Sequence, residues 1–179
     1  MNPKSTKRLS SRFFQRDVLE VAPDLLGKLL VRQFSDGRQI SGRITEVEAY
    51  RGTDDLACHA SKGRSPRTEI MFGPGGYVYM YLIYGMYWML NFVTGESAIP
   101  QAVLIRGVNS LGGPGRLTRQ FEIGKDFYGE CLEESSRLWV EDHKGLIEFE
   151  AGPRIGISYA GEYWASRPWR FTVSSMETG

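Results

Sequence analysis

The chain is poor in cysteine, poor in histidine and free of long apolar runs, and each shortage removes a class of protein. Two cysteines, Cys58 and Cys131, cannot build the disulfide lattice of a small secreted domain. Of the two histidines, only His59 sits in a metal-like pattern, Cys58-His59 with aspartates nearby. Adjacent loop residues rarely both face one ion and no second cluster exists, so no metal is expected. No segment approaches the roughly 20 apolar residues of a membrane span, which points to a soluble protein in a reducing compartment. Internal repeats and low-complexity tracts are absent as well. Net charge is nearly absent too, at +1, which by itself argues against a generic polyanion binder.

That small charge hides an uneven distribution. Residues 130–150 carry seven acids against Arg137 and Lys144, leaving this segment at −5 and the remainder at +6. One basic and one acidic face would let a nearly neutral chain bind a phosphate backbone, although plain solvated charge explains the pattern equally well. The 179 residues, 41% hydrophobic, suffice for one sizeable core and one domain, residues 13–179. Ahead of it, residues 1–12 hold Lys4, Lys7, Arg8 and Arg12 with no acid. They read as a flexible basic tail, with an organelle-targeting segment as the alternative.

Periodicity predicts a mixed fold. Phe13 to Leu30 has a mostly helical period, with Pro23 suited to the first turn of a second short helix ending near Gly27 or Leu30. Asp36-Gly37 between the extended runs Val31–Phe34 and Gln39–Tyr50 predicts a hairpin. Residues 51–76 read as a long polar loop of the kind that usually has a functional reason. Tyr77, Tyr79 and Tyr81 alternate with Val78, Met80 and Leu82, placing aromatic rings on one strand face and apolar side chains on the other. The period breaks at Tyr84-Gly85, so Tyr84 belongs at a hairpin tip, with a return strand through Asn91 and Phe92. Ala102 to Val108 reads as a buried strand and Arg116 to Ile123 as a helix. Ser136–Val140, Leu146–Phe149, Arg154–Ser158 and Trp169–Val173 read as further short strands. The sum is an α+β domain with a predominantly antiparallel sheet.

Six aromatic side chains among residues 77–91 exceed what a core of this size needs, so something planar is expected to stack there. Glu46, Glu48 and Tyr50 share a strand face at i, i+2 and i+4. Two carboxylates along a strand are about 6.6 Å apart, within the range of an inverting glycosidase, but parallel side chains do not flank a bond from opposite sides. Glu46 therefore reads as an ion-pair or strand-end residue and Glu48 as a single general base. Lys62, Arg64 and Arg67 put cations on the long loop, suited to phosphate or simply to water. Gly113-Pro114-Gly115-Arg116 offers amides to an anion or forms an unliganded turn.

Several motifs in order resemble one family, the alkyladenine (3-methyladenine) DNA glycosylases of the single-domain mammalian and bacterial type. They are Gly42 to Tyr50, the loop reaching His59, Pro66-Arg67, Tyr77 to Asn91, Val103-Leu104-Ile105-Arg106, and Ala160 to Trp164 with Arg167-Pro168. The resemblance implies a single compact domain, a curved antiparallel sheet flanked by short helices, and a protruding β-hairpin that enters the DNA minor groove. It also implies a base-excision-repair enzyme that flips alkylated or deaminated purines out of duplex DNA and hydrolyses the glycosidic bond, with no lyase step and no cofactor. Glu48 matches the general base, and Arg106 and His59 match residues that place the attacking water. Tyr50, His59 and Tyr81 match the walls of the base pocket. Asn91 matches a floor residue that refuses the 2-amino group of guanine. Tyr84 matches the side chain that fills the gap in the helix. Backbone contacts are implied for Lys62, Arg64, Arg67, Gly85, Met86 and Arg116. The implied partner is damaged double-stranded DNA, met as a monomer, in a bacterial cytoplasm at the nucleoid or in a eukaryotic nucleus. Two other classes stay open on residues alone: a noncatalytic single-strand-binding module using the tyrosines, and a glycoside hydrolase using Glu46 with Glu48.

Overall fold

The computed structural model describes residues 7–143, 145 and 147–176. Within them the chain forms strands β1 (Lys7–Arg8), β2 (Leu29–Gln33), β3 (Gln39–Arg51), β4 (Val78–Ile83), β5 (Tyr87–Thr94), β6 (Gln101–Val108), β7 (Leu111–Gly112), β8 (Leu138–Asp142), β9 (Ile147–Gly152) and β10 (Arg170–Met176). Helices are short: α1 (Ser11–Phe14), α2 (Val18–Leu25), α3 (Pro114–Gln120) and α4 (Glu162–Ala165). The strands make one open antiparallel sheet in the order β1-β8-β2-β3-β6-β5-β4, with β10 pairing β3 and β9, and β7 pairing β6.

Strand β3 organises this sheet. Its first part, Gln39–Arg43, pairs with β2, and its second part pairs with β6 on one side and β10 on the other. Between the two parts the register slips twice. Ile44 pairs with Val108, Glu46 with Gly107 and Val47 with Ile105, which leaves Thr45 extra on β3 and Arg106 extra on β6. A bulge inserts one residue and turns the following side chains to the opposite face. Accordingly Ile44 lies in the main core before the bulge and Val47 and Ala49 lie in it afterwards, so that Glu46, Glu48 and Tyr50 face the other way. Close approach at this point requires Gly107: a Cβ there would stand 2.9 Å from Thr45 Oγ1 and 3.2 Å from Glu46 Cβ.

The core face of the sheet is covered by α1, α2 and α3. Val18, Val21, Ala22 and Leu25 follow the i, i+3, i+4, i+7 rule and are fully buried. Asp17 caps α2 by accepting from the Leu19 amide at 2.9 Å. Pro23 lies in the last turn of this helix rather than opening another. The chain turns at Gly27, whose amide donates to Ile44 O, and enters β2, so the expected second segment to Leu30 is strand instead.

Other boundaries differ for identifiable reasons. Residues 1–6 of the expected tail lie outside the described residues, but residues 7–12 are not tail. Lys7 and Arg8 pair opposite Asp142 and Glu141, and Arg8 packs over the Trp139 ring. Helix α3 starts two residues earlier than expected because Pro114 occupies its first turn. The long loop contains two 3₁₀ turns, His59–Lys62 and Glu69–Phe72. Leu146 of the expected strand Leu146–Phe149 lies outside the described residues, and the strand found is β9. Arg154–Ser158 is not a strand. There the Ile155 amide donates to the Glu48 carboxylate and Gly156 adopts φ 73°, so the ladder bonds a strand needs are given to a side chain.

Arg154 itself makes the deepest ion pair. Both it and Asp55 have fully buried side chains, joined by two bonds, Nη1 to Oδ2 at 2.6 Å and Nη2 to Oδ1 at 2.9 Å. Arg154 also donates to Ala49 O, while Asp55 accepts from the amides of Arg51 and Ala57. Removing one partner of such a pair strands the other charge. Arg154→Met is therefore expected to lower unfolding stability by about 3–5 kcal/mol, read as a fall in the urea midpoint. A loss under about 1 kcal/mol would show that the pair does not hold this part of the fold.

Candidate active site

On the face opposite the main core, β3, β6, β5 and β4 form the floor of a cavity of about 550 Å³. Alternation selects its lining: Glu48 and Tyr50 from β3, Ala102, Leu104 and Arg106 from β6, Met89 and Asn91 from β5, and Tyr79, Tyr81 and Ile83 from β4. Ala57, His59 and Met71 from the long loop, and Ile155 to Ile157 with Tyr159 from the segment after β9, close it over. The Asp55–Arg154 pair ties those two covering segments together.

Glu48 is completely buried. Its Oε2 accepts from the Tyr50 hydroxyl at 2.7 Å, and its Oε1 accepts from the Ile155 amide at 2.7 Å and lies 3.5 Å from Arg106 Nε. Burial raises its pKa above the ordinary 4.5, against the opposing pull of Arg106, the Ile155 amide and Tyr50. Among the described residues that line the cavity, Glu48 is the only carboxylate. Glu46 lies outside the cavity and accepts from Arg106 Nε at 2.9 Å, which leaves a two-carboxylate sugar hydrolase without its second acid.

The aromatic wall is more ordered than sequence alone indicates. His59 meets Tyr81 edge to face with centroids 4.5 Å apart, and its Nδ1 is hydrogen-bonded to the Tyr79 hydroxyl at 2.8 Å. Tyr79, for which the resemblance implies no role, thus belongs to the lining of the site. Its position on the Tyr77-Tyr79-Tyr81 face is the signal that points there. Burial, Arg67 and Lys62 push the His59 pKa down to about 4, so the ring is neutral near pH 7. Burial pushes Tyr79 up to about 12 and raises Tyr81 and Tyr50 as well, so all three stay phenols. Asn91 is buried in the floor, its amide nitrogen donating to Tyr79 O and Met89 O at 3.3 Å each. Cys58 is buried and raised to about 12, which keeps it an unreactive thiol.

Tyr84, at the mouth, is 86% exposed. Ile83 and Tyr87 pair, Met86 N bonds to Ile83 O, and both Tyr84 and Gly85 have positive φ, 50° and 66°. This is the twist a tight hairpin needs, and Asn-Gly is its cheapest sequence. Met86, beside the tip, is also exposed. Of the loop cations, Arg67 sits over the Tyr81 ring at 5.3 Å with Nη2 3.3 Å from His59 Nδ1, and Lys62 lines the adjoining groove. Arg64 instead pairs with Glu69 at 2.7 Å over the Phe72 ring, and Arg116 is exposed in the first turn of α3. Among the described residues no group of three or more His, Cys, Asp or Glu side chains is placed to hold a metal ion, and no helix is long and apolar enough to cross a membrane.

Comparison with known proteins gives this arrangement a family. The profile of methylpurine-DNA glycosylase (MPG) matches residues 12–112 and 108–177. The chain belongs to that family. A protein of Methanocella arvoryzae is 46% identical over 179 residues, covering 89% of this chain and 88% of its own. One of Sodalis glossinidius is 46% identical over 170 residues, covering 91% and 95%. One of Legionella pneumophila strain Corby is 42% identical over 176 residues, covering 93% and 94%. Each bears the name "Putative 3-methyladenine DNA glycosylase". Family membership makes the chain a DNA glycosylase, a hydrolase of base excision repair acting on DNA.

Two physical tests follow from the geometry. A bulky residue in the left-handed region costs roughly 1–2 kcal/mol, so Tyr84→Asn is expected to raise the unfolding free energy by about 1 kcal/mol with an unchanged denaturant slope. An equal or lower midpoint would mean that the ring contributes more to the fold than its exposure indicates. For His59, an NMR titration is expected to show the imidazole neutral down to about pH 4. Its contribution to stability is present above the unfolded value of 6.5 and is lost as pH falls from there toward 4. A His59 midpoint near 6.5 would contradict the neutral, hydrogen-bonded ring.

Proposed function

We propose that this chain is a monofunctional glycosylase that extrudes an alkylated or deaminated purine into the cavity and hydrolyses its glycosidic bond with one water activated by Glu48. The observation that carries the reading is the one carboxylate among the described lining residues, fully buried in a cavity it shares with Tyr50, Tyr81 and a neutral histidine. A glycosidic bond inside a stacked duplex is out of reach, so the nucleotide must be flipped at a cost of a few kcal/mol, least for a damaged pair. Tyr84, held out at the hairpin tip, fills the vacated gap and offsets part of that cost. Tyr50, Tyr81 and His59 hold the base, and each stacked ring contributes about 1–3 kcal/mol without demanding one pattern of hydrogen bonds. Electron-poor alkylated rings gain most, which supports a substrate range spanning 3-methyladenine, 7-methylguanine, hypoxanthine and ethenoadenine. Asn91 on the floor refuses the 2-amino group of guanine.

Catalysis then divides among few groups. Glu48 takes a proton from water as it attacks the sugar C1′, and its negative charge stabilises the oxocarbenium-like state. Arg106 and His59 place that water. The sequence offers no lysine or amino-terminal nucleophile placed by motif, so the product is an intact abasic strand. Lys62, Arg67, Arg116 and the hairpin residues Gly85 and Met86 lie toward the duplex backbone. Arg64 reaches a phosphate by leaving Glu69, an exposed pair of the sort worth about 0.2–1 kcal/mol. The protein acts as a monomer on damaged double-stranded DNA, without a cofactor.

Duplexes carrying one lesion each, incubated with the protein and then heated in alkali, are expected to break at that site and nowhere else. Intact strands across the whole panel would end this reading. Glu48→Gln is expected to keep its affinity for lesion DNA while turnover falls by about 10²–10⁴-fold. Because burial raises Glu48, wild-type activity is expected to decline on acidification at a pH above 4.5, where an ordinary carboxylate would still be ionised. Full turnover in the Gln variant would remove Glu48 from the mechanism.

A further inference from the structure

Glu46 is the member of the Glu46-Glu48-Tyr50 face for which the proposed chemistry has no use. Its Oε1 accepts from Arg106 Nε at 2.9 Å and lies 3.4 Å from Arg170 Nη1. Arg106 Nε in turn stands 3.5 Å from Glu48 Oε1. Arg170, Glu46, Arg106 and Glu48 therefore form a row of alternating charge that starts on β10 and crosses β3 and β6 to the cavity. The central two are well shielded from water, with side-chain exposures of 13% for Arg106 and 17% for Glu46, so the pairing is not a solvated surface contact.

The backbone is shaped around this row. Arg106 is the residue left over by the bulge on β6, and Glu46 sits opposite Gly107 between the two register slips. Bulges commonly re-aim a side chain beside an active site. Ile44 with Val108 and Val47 with Ile105 belong to one register, in which Glu46 would fall directly opposite Arg106; the paired slips instead set Glu46 against Gly107 and leave Arg106 unpaired.

We propose that Glu46 is a positioning residue: by taking the shorter bond from Arg106, it holds the guanidinium at the cavity wall and keeps it from closing onto Glu48. This inference rests on the glycosylase reading above. Without Glu46, Arg106 makes a full charge-assisted bond to the carboxylate, and Glu48 becomes a weaker base. The groups facing Glu48 are Tyr50 and Glu46 on its own strand, Arg106 on β6, Tyr81 on β4 and the Ile155 amide. Those facing Glu46 are Arg106 and Arg170. Glu46 pushes the Glu48 pKa up and Arg106 pulls it down, so removal of the Glu46 charge lowers it on both counts.

The experiment is single-turnover excision across pH on the lesion duplex that wild type cleaves best. Glu46→Gln is expected to slow the step about tenfold, in the range of coupling between contacting residues, with lesion binding changed less than about twofold. Its acid limb is expected to move to lower pH. In an Arg106→Gln background the same substitution is expected to lose most of its effect on rate, keeping only the smaller direct influence of the Glu46 charge on Glu48. Arg170→Gln, which leaves Glu46 less neutralised, is expected to move the acid limb the other way, and it keeps the test decisive if Glu46→Gln does not fold. An unmoved acid limb in the variants, or an equal loss with and without Arg106, would overturn the role of Glu46. Wild type that excises no lesion would instead overturn the glycosylase reading, and this inference with it.

Discussion

The buried pair between Asp55 and Arg154 is the constraint on which the site depends. It joins residues 99 positions apart in sequence, and each stands next to a working part of the cavity. Four residues beyond Asp55 is His59, and one beyond Arg154 is the Ile155 amide that holds Glu48. The guanidinium also lies between the rings of Tyr50 and Trp169, at 4.8 and 5.0 Å, so the pair fixes a wall of the cavity as well as its cover. Buried pairs often add little net stability over apolar residues of the same shape. What this one supplies is geometry, since a fork of two bonds accepts far fewer arrangements than an apolar contact does.

The cavity obtained in this way is open at the mouth beside Tyr84, buried at the floor, and almost uncharged apart from Glu48 and Arg106. Its tyrosines are phenols and its histidine is neutral, so a bound ring meets π faces and dipoles rather than a rack of ions. The same burial makes Glu48 a better proton acceptor than a solvated carboxylate. In the proposed chemistry one physical cause, burial, thereby serves both the holding of a base and the activation of a nucleophile. The exposed part of the device is the hairpin, where a tyrosine sits in a backbone conformation that asparagine or glycine would adopt more cheaply. Strain of this kind at an exposed tip is the pattern expected where function has overridden stability.

Much of this is legible in the amino-acid sequence alone. Alternation correctly divides Tyr79 and Tyr81 from Val78 and Met80, and the break at Tyr84-Gly85 is a real turn, because strand period and glycine position are local properties. Glu46 as an ion-pair residue follows from the same local reasoning. The Asp55–Arg154 pair is invisible in sequence, since nothing in either neighbourhood marks the other. Residues 154–158 mislead for that reason: their apolar side chains suit a strand, but their backbone is committed to Glu48. Pro23 misleads because a proline fits the last turn of a helix whose end is already being pulled into the sheet. The role of Tyr79 is only half legible: strand period puts its ring on the cavity face, but its bond to the His59 imidazole joins two segments that sequence does not bring together.

The slipped register of β3 has a consequence for how this site can change over time. Elsewhere in a sheet, swapping one side chain for another alters what is presented but not where. In β3 the sidedness of Glu46, Glu48 and Tyr50 is encoded by chain length, through the surplus residue Thr45 and its counterpart Arg106. A regular ladder continued from Ile44 would send Glu46 and Glu48 into the hydrophobic layer and Val47 into the cavity, inverting the sheet's two surfaces downstream without altering any of those side chains. Descent with modification can therefore retune the lining by point replacement, while the phase that the matched slips set must be kept for that lining to stay on its side.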